Sequence, residues 1–174
     1  MKQIAWGSIG RGLFWLGALG MLAYGLKPRS SGPIPGAELP SLIVYDLEGA
    51  PRRLDTRGRP LLIEAFASWC GACRRSSSTL EAISALGAAH DLEVIAVSVD
   101  AKVENARAAR DSWPIRATVY HDETGEFSDK LSIRILPTYI LVDAEGRIQQ
   151  VDSGSVGAST FRGWLRASEP LAQR

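Results

Sequence analysis

From Ser41 onward, apolar and polar positions alternate in a way that sets out an α/β domain. Leu42–Leu47 alternates, Glu48-Gly49 marks a turn and Ala50–Leu54 returns, which predicts a hairpin. Leu61–Ala67 is apolar on both faces except at Glu64, as in a strand buried from both sides, and Leu92–Val99 repeats that pattern. After Cys73, the residues Leu80, Ile83 and Leu86 fall at helical spacing, with Gly87 near the stop. Ala101–Ser112 reads as a helix ended by Trp113-Pro114, Ala117–Tyr120 as a short strand and Thr124–Leu131 as a short helix. Thr138–Val142, a turn at 144–146 and Arg147–Val151 predict a second hairpin. Val156–Ala167 is a closing helix with Phe161, Trp164 and Leu165 as its apolar face. Strands alternating with helices, with a hairpin at each end, imply a central mixed sheet flanked by helices.

The pattern before residue 41 is different. Gly12–Leu26 carries no charge, and counted from Ile4 the apolar run includes only Arg11. Such a stretch is long enough to cross a bilayer core. It also fits the apolar region of an export signal, with Ala23-Tyr24-Gly25 as a small-x-small cleavage site. Residues 1–26 are therefore expected to be a membrane anchor or signal segment, with residues 4–26 as the lipid-facing part. Cations flank the run on both sides, at Lys2, Arg11, Lys27 and Arg29, so charge alone leaves the orientation undecided. Residues 27–40 hold four prolines and two glycines and are expected to be a semi-extended linker, which leaves 41–174 as the globular domain.

Composition narrows the function. Twenty Lys and Arg against nineteen Asp and Glu give a net charge of +1. That balance offers no basic surface for nucleic acid. The chain has two cysteines, Cys70 and Cys73. Two are too few for a Cys₄ zinc site, and the histidines, His90 and His121, do not fall at finger spacing. A disulfide closing so short a loop adds little stability.

The chemistry therefore centres on Trp69-Cys70-Gly71-Ala72-Cys73, between a buried strand and a helix. This spacing puts both sulfurs within disulfide reach, with Cys70 at the helix N-terminus. Free amides and the helix dipole there favour its thiolate, making Cys70 the attacking group and Cys73 the resolving one. Glu64 lies six residues earlier inside an apolar strand. Burial would raise its pKa and let it relay a proton to or from Cys73; otherwise it is an acid facing water at a sheet edge or paired with a distant arginine. Pro137, in Ile135-Leu136-Pro137-Thr138, suits a cis peptide beside the disulfide, leaving the Leu136 backbone to pair with an incoming peptide; the alternative is a trans proline at a strand start. Trp69 would shield the disulfide and give partners an apolar contact, with Gly71 and Ala72 lining the approach. Arg74 and Arg75 read as a solvated helix face, and Trp113, Trp164 and Phe161 as core.

On these motifs the chain resembles the thioredoxin superfamily and, within it, the membrane-anchored TlpA/ResA-like thiol-disulfide oxidoreductases of bacteria. The resemblance rests on LIVYDLEGAPRRL, GRPLLIEAFASWCGAC, LEVIAVSVD, LSIRILPTYILVDAEGRI and Gly154, and covers residues 38–170. It implies a thioredoxin-like fold with an N-terminal β-hairpin extension, Cys70 as nucleophile, Cys73 as resolving thiol and Pro137 as cis-proline. It also implies a catalytic domain on the periplasmic side of the bacterial inner membrane. Cytochrome-maturation members of the branch carry a glutamate three residues after the second cysteine, where this chain has Ser76; Glu64 instead takes the place of thioredoxin's buried aspartate. The expected activity is exchange with protein dithiols and disulfides, as a reductant recharged by a thiol-type membrane donor and with no cofactor. The competing readings are a disulfide-donating oxidant and a Cu(I) chaperone using the same two sulfurs.

Overall fold

The structure, a computed structural model, describes residues 32–56, 58–88 and 91–168. The segment expected to contact the membrane lies outside the described residues. Among those described, no helix is long and apolar enough to cross a membrane.

The described chain folds as β1 (Leu42–Asp46), β2 (Pro51–Leu54), β3 (Leu61–Phe66), α1 (Gly71–Ala88), β4 (Glu93–Ser98), α2 (Val103–Ser112), β5 (Thr118–His121), α3 (Glu126–Lys130), β6 (Thr138–Val142), β7 (Ile148–Ser153) and α4 (Ala158–Ser168). The seven strands form one mixed sheet in the order β2-β1-β5-β4-β3-β6-β7. Strand β3 runs parallel to β4 and antiparallel to β6, and β4 runs parallel to β5. The two hairpins occupy the two edges of the sheet, and β1 joins it by antiparallel pairing with β5. This is the expected thioredoxin-like α/β fold with its N-terminal hairpin.

All six residues of β3 are buried, which explains its apolar character on both faces. On one face Leu62, Phe66, Ala96 and Leu141 pack with Leu80 and Ile83 of α1 and Phe161 of α4. On the other, Ile63, Ala65, Ile95, Val97 and Ile140 pack with Phe127 and Leu131, in and just after α3. Each fully buried Leu, Ile or Phe contributes roughly 1.5–3 kcal/mol of burial free energy, so this centre is the firmest part of the sheet. Trp113 stops α2 and leans on Phe66, with ring centroids 6.0 Å apart.

The Pro/Gly-rich stretch expected as a linker is, from Gly32 to Leu39, held against the domain. Gly32 N–H donates to Ser132 O, Gly36 N–H to Ile148 O, Ile148 N–H to Ala37 O and Leu39 N–H to Gly146 O, at 2.7–3.1 Å. Proline and glycine made the stretch stiff and extended, and Ser132, the turn before β7 and the start of β7 supplied the backbone partners that local sequence could not disclose. The folded unit thus starts before Ser41.

Candidate active site

The cysteine pair sits where the central strand hands over to the first helix. After β3, Cys70 N–H donates to Ala67 O at 3.0 Å and closes a tight turn. The turn is anchored from the next strand. The Asp100 carboxylate accepts from Ser68 N–H (2.8 Å), Ser68 Oγ (2.7 Å) and Ser98 Oγ (2.8 Å). His121 Nε2 donates to Asp100 O at 2.8 Å. Asp100 and His121 are buried, so this is an interior polar network with its hydrogen bonds made.

Helix α1 starts at Gly71, immediately after Cys70. Cys70 and Cys73 are joined in a disulfide, with Cα atoms 5.2 Å apart. Cys73 N–H donates to Cys70 Sγ at 3.1 Å. Cys70 thereby takes the place of a capping side chain, its sulfur receiving an amide that the helix would leave without a partner. The same donor favours a thiolate at Cys70 once the disulfide opens.

The sulfurs differ in access. Cys70 is 7% exposed and Cys73 1%. A cleft of about 340 Å³ opens on Cys70 and is lined also by Trp69, Val99, Ile133, Arg134 and Leu136. Trp69 stands out of the surface at 72% exposure, with the half-exposed Ile135 another large apolar side chain left in solvent. Gly71 is exposed and Ala72 half-buried beside Cys70, and the Leu136–Pro137 peptide bond is cis. The structure thus gathers Trp69, Cys70 and Leu136 at the cleft and sets Cys73 beneath.

Glu64 lies in the interior strand at 3% exposure, opposite Ala96 of β4 and Tyr139 of β6. Side chains alternate along β3, so Glu64 shares the face of Leu62 and Phe66, the face on which Cys73 packs. The sheet-edge and arginine-paired alternatives do not describe it. Its partner is Tyr139, whose Oη donates to Glu64 Oε1 at 3.0 Å. Burial pushes the Glu64 carboxyl up to about 8, opposed by the Tyr139 hydrogen bond, which favours the carboxylate. Burial, and then the charge of Glu64, hold the Tyr139 phenol far above its usual range, so it stays a hydroxyl. Ser76, buried one turn after Cys73, donates to Cys73 O at 3.1 Å and also interacts with the Tyr139 hydroxyl.

Tyr139 is the residue that sequence reasoning missed. In the run Thr138–Val142 it reads as one more core residue. The signal that could have found it is the antiparallel pairing of β3 with β6, which sets Tyr139 directly across from Glu64. Among the described residues no group of three or more His, Cys, Asp or Glu side chains could hold a metal ion.

Comparison with known proteins agrees with this geometry. The Redoxin family model matches residues 34–163. The thiol-disulfide oxidoreductase ResA of Geobacillus thermodenitrificans is 22% identical over 160 residues, covering 91% of this chain and 92% of that protein. Among solved structures, a candidate thiol:disulfide interchange protein DsbE from Chlorobium tepidum is 26% identical, covers 78% of this chain and 97% of its own, and superimposes with a TM-score of 0.70. StoA from Bacillus subtilis, 16% identical and covering 75% of this chain and 98% of its own, shares the fold at a TM-score of 0.63.

Proposed function

The chain belongs to the Redoxin family, and from that premise we propose that it is an extracytoplasmic thiol-disulfide oxidoreductase that reduces protein disulfides through Cys70 and Cys73. The observation that carries this reading is the asymmetry of the pair. Cys70 caps α1, accepts the Cys73 amide and opens on the cleft, while Cys73 is buried beneath it.

In the reducing direction, the Cys70 thiolate attacks a client disulfide. A Cys70–client bond forms, the client disulfide breaks and one client sulfur leaves as thiolate. Cys73 then gives its proton to the Glu64 carboxylate and attacks Cys70 Sγ. The second client sulfur leaves, and the Cys70–Cys73 disulfide remains. Two electrons have passed to the client, and a dithiol donor restores the pair by the reverse exchange. As that donor thiolate opens the disulfide, Glu64 returns its proton to the departing Cys73 sulfur. A buried carboxyl with a pKa of about 8 suits both directions, because a proton relay works best near the operating pH. Trp69 and Leu136 would receive an extended client segment, with Gly71 and Ala72 leaving room for its backbone. Placement outside the cytoplasm is supported by the apolar residues 4–26 and by the TlpA/ResA resemblance. The donor would then be a thiol-bearing protein of the membrane.

The test is the reduction potential of the Cys70–Cys73 pair, equilibrated in defined thiol buffers. Reductants of the thioredoxin kind lie near about −270 mV and strong oxidants near about −120 mV. A value near the lower figure supports the reductant. One near the upper figure reassigns the protein as a disulfide donor. Cys73→Ser should accumulate a mixed disulfide through Cys70, and undiminished exchange by Cys70→Ser would overturn the mechanism altogether.

A further inference from the structure

Among the described residues, the side chain that hydrogen-bonds the Glu64 carboxyl is Tyr139, which follows the cis-proline into β6. Tyr139 lies two residues after Pro137 and directly across from Glu64, with Oη 3.0 Å from Oε1. Both are almost wholly enclosed. From β4 the paired neighbour is Ala96, and α1 brings Cys73 and Ser76 to the same side of the sheet. Burial raises the Glu64 carboxyl, and the Tyr139 phenol is the side chain that opposes it. Ser76 touches the same phenol and hydrogen-bonds the backbone of Cys73. A chain of three hydroxyl-bearing or acidic groups therefore joins β3, β6 and the first turns of α1.

We propose that Tyr139 is a positioning residue for the resolving step: its hydroxyl fixes the Glu64 carboxyl against β6 and, with Ser76, ties that acid to the helical turn that carries Cys73. This rests on the reading of Glu64 as the proton acceptor for Cys73. Tyr139 itself neither gains nor loses a proton over the cycle. It donates to the carboxylate while Cys73 still holds its proton, and releases that oxygen as Glu64 takes the proton and the acid forms. The hydrogen bond favours the charged form, so a weaker donor must raise the pKa of Glu64 and a stronger donor must lower it.

The experiment uses the full chain and two perturbations of opposite sign. Single-turnover release of a client peptide from the mixed disulfide is followed from pH 5 to 10, alongside the carbon-13 carboxyl titration of Glu64 in the disulfide form. Tyr139→Phe removes the donor, and both the rate limb and the carboxyl titration should move up by about one to two pH units. Replacing Tyr139 with 3-fluorotyrosine keeps the shape, acidifies the phenol and should move both downward. Glu64→Gln should abolish the limb. If Glu64→Gln leaves the limb in place, the acid is not the proton acceptor and the underlying reading fails. If Glu64→Gln abolishes it while neither tyrosine change moves limb or titration, the acid keeps its role and Tyr139 loses its own. Should Tyr139→Phe fail to fold, the fluorotyrosine arm decides alone, since it leaves volume and hydrogen bonding intact.

Discussion

Glu64 makes the stability of this protein depend on pH in a direction opposite to that of most carboxylates. In the unfolded chain its carboxyl titrates near 4.5, and in the fold near about 8. Between those values the native state holds a proton that the unfolded state has released, so stability falls as pH rises. The 3.5-unit gap (8 minus 4.5) corresponds to about 5 kcal/mol when complete, at about 1.4 kcal/mol per unit. Because Glu64 is 3% exposed, solvent screening takes little from that figure. Worked through the linkage relation, its contribution drops by between about 2 and 3 kcal/mol from pH 5 to pH 7, and by about 4 kcal/mol from pH 5 to pH 9. The assay is urea unfolding of the disulfide form at pH 5, 7 and 9, for the wild type and for Glu64→Gln. All other titrating groups are common to both proteins, so the difference between their pH curves isolates Glu64. The wild type should lose about 4 kcal/mol relative to the glutamine variant over that range. Curves that stay parallel within about 1 kcal/mol would refute the burial argument, and with it the placement of Glu64 as a proton store.

Other outcomes follow from packing and exposure. Phe161→Ala, at a fully buried site of α4, should lower stability by about 3–5 kcal/mol in denaturant melts; a loss under about 1 kcal/mol would detach α4 from the cooperative core. Asp100→Ala strips three buried or half-buried donors of their acceptor and should cost about 3 kcal/mol, and an unchanged midpoint would mean that the Ser68 turn holds without it. Trp69→Ala should leave stability within about 0.5 kcal/mol yet slow mixed-disulfide formation with a client peptide about fivefold or more, whereas an unchanged rate would remove Trp69 from client contact. Gly32→Ala places a methyl 2.5 Å from Val151 Cγ1 at φ +95°; it should destabilise by about 1–2 kcal/mol, and a neutral effect would free the 32–39 segment from the fold.

The sheet's centre was legible because its strands are buried on both faces, which leaves long apolar runs around Ile63, Ile95 and Ile140. The cysteine turn was legible because its chemistry dictates spacing. What local sequence hid was partnership. Nothing in the neighbourhood of Tyr139 announces that it stands across from Glu64; that is a property of strand register, set by residues elsewhere. Strand β2 is mostly exposed, and its place came from the turn at Glu48-Gly49 rather than from any apolar pattern of its own. The segment from Gly32 to Leu39 reads as a spacer by composition and becomes part of the domain through backbone bonds to Ser132 and to the distant β6–β7 hairpin.

The sheet's two outer margins bear on the proposed exchange with protein clients. One margin is β2, four residues that open with Pro51 and present Arg52 and Arg53 to solvent. The other is β7, whose start is occupied by Gly36 and Ala37 and whose remainder carries Gln149, Gln150 and Asp152. Neither offers the long, flat, apolar edge on which a foreign extended chain could add itself as another strand. Contact with a protein client is thereby directed to the cleft at Cys70, and the flanks of the sheet stay closed to strand addition.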